Sequence, residues 1–171
     1  ILPQAMPPPS PPPCLAGGPV TFGYFGRVQR LNDRVVATWS AILRAVPGAR
    51  LRLNNAPFAE PAFRALYAAR FAAHGIAADR LEMVHTAPQP RTWDDYAAID
   101  VALDPFPHNA GTTTIEALWL GVPVLTLPGG TMMSRVAASL VLALDAAPPC
   151  FAPVVSSLDA YVESALALAR N

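Results

Sequence analysis

The spacing of apolar residues along the chain alternates between two periods. Five short runs rich in apolar and β-branched residues predict strands, at residues 20–25, 49–54, 80–85, 100–104 and 123–127. Elsewhere apolar residues recur every three to four positions, which predicts helices at 33–46, 61–74, 92–98, 113–120, 133–144 and 157–169. The stretch PPCFAP (148–153) predicts a short sixth strand. Because strand and helix alternate throughout, the predicted fold class is α/β, a mostly parallel sheet with helices on both faces.

The first 19 residues differ in composition from the rest. Seven prolines fall within residues 3–13, and such a run can form neither a helix nor a central strand. We expect a proline-rich linker over residues 1–19 and one lobe over 20–171; a ligand for a proline-recognition domain is the alternative for the linker. Because the first residue is Ile1 and not methionine, we also expect a fragment of a larger protein.

The overall composition limits the partners that the chain can have. Hydrophobic residues make up 53% of the 171 positions and charged residues 14%, which is typical of a globular domain. Twelve basic and twelve acidic side chains give zero formal net charge, so we expect neither nucleic acid nor a membrane as a partner. Charged residues interrupt every apolar run, and Cys14 and Cys150 have no metal or redox spacing. The expectation is a soluble, cytoplasmic protein.

Two loops at the carboxyl ends of predicted strands carry the candidate chemistry, since ligands bind there in parallel α/β sheets. The first loop lacks the GxGxxG pattern of dinucleotide folds. It has Gly23 and Gly26, which would let the backbone turn closely, followed by Arg27 and Arg30. Two guanidinium groups after a glycine turn can hold a diphosphate; a solvated surface role is the alternative.

The second loop leads into the stretch HNAGTTTIEALWLGVPVLTL, residues 108–127. Gly111, Thr112 and Thr113 come at the predicted start of a helix, where free amides and the helix dipole favour a phosphate. Glu116, one turn later on the same side, is placed to accept hydrogen bonds from two ribose hydroxyls. The alternative is that Thr113 and Glu116 form a capping box, which satisfies those amides without a ligand.

A resemblance to a known family covers these loops and most of the chain, from about Thr21 to Leu144. It rests on three segments: TFGYFGRVQRLNDRVVATWSAILRAVPGARLRL, AAIDVALDPFPHNAGTTTIEALWLGVPVLTL and SRVAASLVLAL. Together they resemble the carboxy-terminal lobe of the O-linked N-acetylglucosamine transferase family, in particular its bacterial and SPINDLY-like members. The resemblance implies the GT-B fold, in which two Rossmann-like lobes face each other and the second lobe holds most of the nucleotide sugar.

The same resemblance implies roles for individual residues. Arg30 matches a lysine that contacts the donor diphosphate and stabilises the departing nucleotide, and Arg27 matches a polar position that faces the donor. Residues 111–113 match the stretch around the pyrophosphate, and Glu116 matches the acid that holds the ribose.

The loop after the third predicted strand matches the region that binds the base. Ala87 and Pro88 match the backbone that reads the uracil edge. Gln89 stands where animal members have a lysine, and Thr92 stands where a histidine commonly stacks on the base. The register of the adjacent Trp93 matches a buried leucine, so we expect this side chain in the core.

The three histidines show no partner for nucleophilic or metal chemistry in the sequence. His85 and His108 are expected on the rim of the binding site. His74 comes at the end of a predicted helix, where we expect a structural role.

The function that the resemblance implies is that of the donor-binding lobe of an inverting glycosyltransferase. Such an enzyme moves a sugar, expected to be N-acetylglucosamine, from a UDP-sugar to a serine or threonine of a protein. We expect no cofactor and no metal, because Arg30 and the helix amides supply the positive charge. The protein acceptor and any general base would belong to a missing amino-terminal lobe. Two alternatives remain open: a nucleotide-binding lobe without transfer activity, and a structural partner domain.

Overall fold

The computed structural model describes residues 6–87, 91–144 and 153–170. Within them, five strands form one sheet in the order β3-β2-β1-β4-β5, and every neighbouring pair is parallel. The strands are β1 (Thr21–Tyr24), β2 (Arg50–Asn54), β3 (Leu81–Val84), β4 (Val101–Leu103) and β5 (Val124–Leu125). The predicted parallel sheet is confirmed, with strands one to three residues shorter than predicted.

Six α-helices occur in the described part of the chain. They are α1 (Asp33–Ala45), α2 (Pro61–Ala72), α3 (Arg91–Asp94), α4 (Thr112–Trp119), α5 (Val136–Leu142) and α6 (Leu158–Leu168). Local sequence signals explain where three of them begin. The side chains of Asn32 and Ser157 cap α1 and α6 by accepting bonds from backbone amides, and Pro61 is the first residue of α2.

Two of the predicted helices are divided, each into a 3-10 turn and a shorter α-helix. The predicted helix at 92–98 is divided into α3 and a 3-10 turn at Asp95–Ala98. The predicted helix at 133–144 is divided into a 3-10 turn at Met132–Ser134 and α5. Thr131 and Ser134 form reciprocal capping bonds around the latter turn, and Arg135, at φ −127° and ψ −2°, separates it from α5. Local side-chain bonds therefore override the apolar period here.

The sheet separates two apolar clusters. On one face, Phe22 of β1 packs with Trp39 of α1 and Tyr161 of α6. On the other face, Tyr96 packs with Ala117 of α4. Because successive strand residues point to opposite faces, each strand can contribute to both clusters. The predicted helices on both faces are confirmed.

Gly23 lies in the middle of β1 and not in a turn, so the role predicted for it was wrong. A β-carbon built on Gly23 would lie 2.7 Å from Cγ2 of Ile99, which is far closer than two carbon atoms pack. Glycine is therefore needed at this position so that Ile99 can pack directly on the sheet.

The described part of the proline-rich segment contacts the sheet. Residues Pro13–Ala16 form a 3-10 turn. The carboxylate of Asp100 accepts bonds from the amide of Cys14 at 2.9 Å and from the amide of Thr21 at 2.7 Å. The role of residues 1–19 as a linker stays a prediction.

Most of the predicted sixth strand, residues 148–152, lies outside the described residues, as does Cys150. Just after it, Val154 forms an isolated parallel bridge with Thr126, next to β5. Among the described residues, no helix has the length and apolar character needed to cross a membrane.

Candidate functional site

A cleft opens at the carboxyl ends of β1 and β4, the neighbouring strands where the chain order of the sheet reverses. Strands β2 and β3 follow β1 on one side of the sheet, whereas β4 and β5 lie on the other side of β1. Ligands of open parallel sheets bind at such switch points. The cleft has a volume of about 510 Å³ and is lined by Phe25, Gly26, Arg27, Arg30, Asn55, His108, Gly111, Thr112, Thr113 and Met133.

Five of the predicted site residues are brought together in this cleft. Arg27 and Arg30 enter it from the loop after β1, whereas Gly111, Thr112 and Thr113 enter it from the start of α4. Guanidinium groups and the positive end of a helix dipole both attract anions. The cleft can therefore hold an anionic group between them.

The turn that presents the two arginines is anchored to the core. Val28–Arg30 form a 3-10 turn in which Val28 is buried. The hydroxyl of Tyr67 donates to the carbonyl of Val28 at 3.0 Å, and that of Tyr24 donates to the carbonyl of Arg27 at 3.1 Å. Because its backbone is held by β1 and α2, the turn leaves Arg27 exposed and Arg30 half-buried at the cleft.

Gly26 makes room for the side chain of Tyr24 beneath this turn. A β-carbon at Gly26 would lie 2.5 Å from the Tyr24 hydroxyl oxygen. Burial raises the pKa of Tyr24, and the nearby positive charge of Arg30 opposes that rise. The hydroxyl therefore stays protonated as a hydrogen-bond donor at neutral pH.

Gly111 is the N-cap of α4, at φ −126° and ψ −82°, and no side chain caps this helix. The carbonyl of Gly111 accepts bonds from the amides of Thr114 and Ile115. The capping box considered for Thr113 is not formed, so that alternative was wrong. The first turn of α4 instead stands open at the cleft wall.

Glu116 lies deeper than the residues at the start of α4. It is 6% exposed and is not among the residues that line the cleft. Its two carboxylate oxygens accept bonds from the indole of Trp93 at 3.2 Å and from the hydroxyl of Tyr96 at 3.0 Å. Trp93 is buried, as predicted, and burial together with the charge of Glu116 raises the pKa of Tyr96.

The loop predicted to bind the base is described only in part. Ala87 is exposed and Thr92 is half-buried, and neither lines the cleft; Pro88 and Gln89 lie outside the described residues. The roles predicted for these four residues stay predictions.

Hydrogen bonds hold both ends of this loop. The side chain of Asn54 accepts a bond from the amide of Thr86 at 3.1 Å and donates to Asp95 at 2.5 Å. Asp95 also forms an ion pair with Arg52, and the hydroxyl of Thr92 donates to the carbonyl of Thr86 at 3.2 Å. The end of β2 is therefore bonded to Thr86 and Asp95, described residues on either side of 88–90.

His108 lines the cleft, as expected, whereas His85 is exposed after β3 and does not line it. The carbonyl of His74 accepts a bond from Arg44 at 2.6 Å, just after the end of α2. In residues 6–87, 91–144 and 153–170, no group of three or more His, Cys, Asp or Glu side chains could hold a metal ion.

Sequence reasoning assigned no role to three residues of the cleft: Phe25, Asn55 and Met133. Asn55 directly follows β2, so the rule that ligands bind at strand ends could have found it. No local sequence pattern marks Met133 as a cleft residue. It is held near the cleft by a distant residue, because its carbonyl accepts a bond from the amide of Asn109 at 3.1 Å.

Similar proteins match nearly the whole chain. The "probable UDP-N-acetylglucosamine–peptide N-acetylglucosaminyltransferase SPINDLY" of Solanum lycopersicum is 32% identical over 167 residues, 94% of this chain. The Arabidopsis thaliana protein with the same description and the name SEC is 36% identical over 151 residues, 88% of this chain. The chain spans 17% and 15% of the lengths of these two proteins.

Solved structures share the fold. A mutant of the O-GlcNAc transferase of Thermobaculum terrenum matches with a TM-score of 0.88 and 34% identity, over 99% of this chain and 31% of that one. The C-terminal domain of the glycosyl transferase group 1 protein LpcC of Francisella tularensis matches with a TM-score of 0.62 over 98% of this chain and 87% of that one. At 12% identity, the latter match concerns the fold alone.

The sequence model of glycosyl transferase family 41 matches residues 14–171. This range includes every strand of the sheet and every residue of the cleft. The chain belongs to glycosyl transferase family 41.

Proposed function

We propose that this chain is the donor-binding lobe of an inverting GT-B glycosyltransferase, which moves N-acetylglucosamine from its UDP conjugate to serine or threonine residues of proteins. The observation that carries the proposal is that Arg27, Arg30 and the start of α4 line one cleft. The descriptions of SPINDLY and SEC as UDP-N-acetylglucosamine–peptide transferases support this donor and acceptor class.

In this proposal the cleft holds the diphosphate of the donor. Transfer of the sugar leaves extra negative charge on the departing UDP. The guanidinium of Arg30 and the first amides of α4 would stabilise that charge more strongly as it develops, which lowers the barrier. Arg30 offers paired N–H donors that fit phosphate oxygens. The positive charge for the reaction thus comes from the protein, and we propose no resident metal or cofactor.

The nucleoside of the donor would lie between the start of α4 and the loop after β3. Glu116 would accept hydrogen bonds from the ribose hydroxyls. Because this carboxylate is buried against Trp93 and Tyr96, the contact requires it to turn towards the cleft. The uracil would contact the loop residues already named at positions 87, 88, 89 and 92.

The acceptor would bind against a second lobe that belongs to the same protein. The chain covers 31% of the T. terrenum transferase, so a further lobe of that size fits the relatives' length. We propose that this lobe places the acceptor hydroxyl and supplies any general base, and that the protein acts in the cytoplasm.

Titration of the folded chain with UDP, UMP and uridine, followed by NMR, tests the proposed diphosphate site. We expect UDP to bind with a Kd between high micromolar and millimolar, equivalent to about 4 to 6 kcal/mol. Affinity should fall from UDP to UMP to uridine, because the second phosphate contacts both walls of the cleft. The chain alone should not transfer sugar, since the acceptor is not positioned.

A matched pair of arginine variants controls for net charge. Arg30→Ala should weaken UDP binding, whereas Arg34→Ala removes the same charge from an exposed position of α1 outside the cleft and should not. Equal affinities for UDP and uridine, or equal losses in the two variants, would contradict a diphosphate site at this cleft.

A further inference from the structure

Asp104 is a buried carboxyl group directly after β4, 2% exposed. One of its oxygens accepts a bond from the amide of Ala110 at 2.6 Å, and the other accepts a bond from the hydroxyl of Thr126 at 2.6 Å. A buried carboxylate is costly unless hydrogen bonds or charges compensate it. Here the two compensating bonds come from separate loops, one before α4 and one after β5.

Each of these bonds fixes a segment of the cleft region. Ala110 immediately precedes Gly111, the N-cap of α4, and Thr126 immediately follows β5. Asn109 adds a further bond in this loop: its side chain donates to the carbonyl of Pro105 at 3.0 Å. The end of β4, the start of α4 and the end of β5 are therefore joined through one side chain.

Asp104 also acts electrostatically on the opposite wall. Arg30 is a nearby positive charge, and the negative charge of Asp104 raises the pKa of the hydroxyls of Tyr24 and Tyr161. Burial raises the pKa of Asp104 to about 7, whereas the bonds from Thr126 and Ala110 and the charge of Arg30 lower it. The carboxyl group that holds the start of α4 therefore lies within electrostatic range of Arg30.

We infer that Asp104 is a positioning residue of the diphosphate site: through Ala110 it fixes the first turn of α4 opposite Arg30. This inference rests on the proposed function, because a diphosphate has to contact both walls at once. Asp104 does not line the cleft, so it acts through the backbone that it holds and not by touching the donor.

Three variants separate positioning from general stability. Asp104→Ala removes both bonds. Asp104→Asn keeps an oxygen that can accept from Ala110 and an amide that can donate to the oxygen of Thr126. Thr126→Val keeps the side-chain shape and the Ala110 bond but removes the bond to the end of β5, so it is the matched control for lost stability.

The affinities of the folded variants for UDP and uridine form the main measurement. We expect Asp104→Ala to weaken UDP binding about tenfold, the effect of losing roughly one hydrogen-bond energy of 1.4 kcal/mol, while uridine binding stays unchanged. Asp104→Asn and Thr126→Val should bind UDP like the unmodified chain. An equal loss in Asp104→Ala and Thr126→Val, or a loss for uridine as large as for UDP, would overturn the inference.

Amide hydrogen exchange of the free chain gives a readout that needs no donor. Asp104→Ala should speed exchange at the amides of Ala110, Thr114 and Ile115, which are hydrogen-bonded at the start of α4, and Asp104→Asn should restore their protection. If exchange responds in this way but the unmodified chain does not distinguish UDP from uridine, the positioning of α4 stands and the proposed function fails. If UDP binds as proposed but exchange and affinity ignore Asp104→Ala, the inference alone fails.

Discussion

Replacement of Asp104 by asparagine is expected to remove a large pH dependence from the stability of the chain. The pKa of this carboxyl rises from 3.8 to about 7 on folding, chiefly because of burial. Between these two values the folded chain retains a proton that the unfolded chain has lost. Stability therefore falls as the pH rises through this window, the opposite of the usual behaviour of a paired aspartate.

The size of the effect follows from the width of this window. Each pH unit is worth about 1.36 kcal/mol, so the full difference is about 4 kcal/mol. About two of those pH units lie between pH 5 and pH 7. Above pH 7 the group is ionised in both states, so the loss of stability no longer grows. From pH 5 to pH 8 the unmodified chain should thus lose about 2 to 3 kcal/mol of stability through Asp104.

Urea unfolding of both proteins at pH 5 and pH 8 measures this effect, with circular dichroism as the signal. Other titrating groups act on both proteins and cancel in the difference between them. The free energy of unfolding of Asp104→Asn, relative to the unmodified chain, should be about 2 to 3 kcal/mol higher at pH 8 than at pH 5. A difference that is the same at both pH values would refute a raised pKa at Asp104. The stability cost of this carboxylate at neutral pH is what a residue kept for positioning would show.

Three further substitutions test the site and the sheet. Arg30→Ala in the complete protein should lower turnover about 100-fold, a loss of roughly 3 kcal/mol of transition-state stabilisation; normal turnover in steady-state assays would exclude it from the mechanism. Thr113→Val should weaken UDP binding in calorimetry but change the free energy of unfolding by less than about 0.5 kcal/mol, because its hydroxyl caps no helix; unchanged UDP affinity would count against a donor contact. Gly23→Ala should cost about 1 to 3 kcal/mol in urea unfolding, since Ile99 fills the space of the new methyl group. Gly130→Ala is its control, because a β-carbon there meets no atom within 4 Å, and equal costs in the two would contradict the packing argument.

The alternation of strands and helices was accessible from the sequence because periodicity and capping are local signals. The five strands and six helices of the described residues lie where the apolar spacing predicts them, with shifted ends. The ends of the helices and strands were harder to predict. Around Thr131 and Ser134, for example, capping bonds compete with the apolar pattern.

The position of the cleft could also be predicted, because a parallel sheet brings the carboxyl ends of its strands to one edge. This rule was sufficient to place Arg27 and Arg30 near residues 111–113. The rule could not predict which side chains contact one another at that edge of the sheet.

The sequence by itself therefore determined the elements, their alternation and the two loops that supply most residues of the cleft. Only the tertiary structure decided that Glu116 bonds to Trp93, that Asp104 bonds to Thr126 and that Gly23 accommodates Ile99. In each pair the partners are more than 20 positions apart and lie on or directly beside different elements. Spacing along the chain encodes which residues share one face of one element, whereas these contacts depend on how separate elements pack.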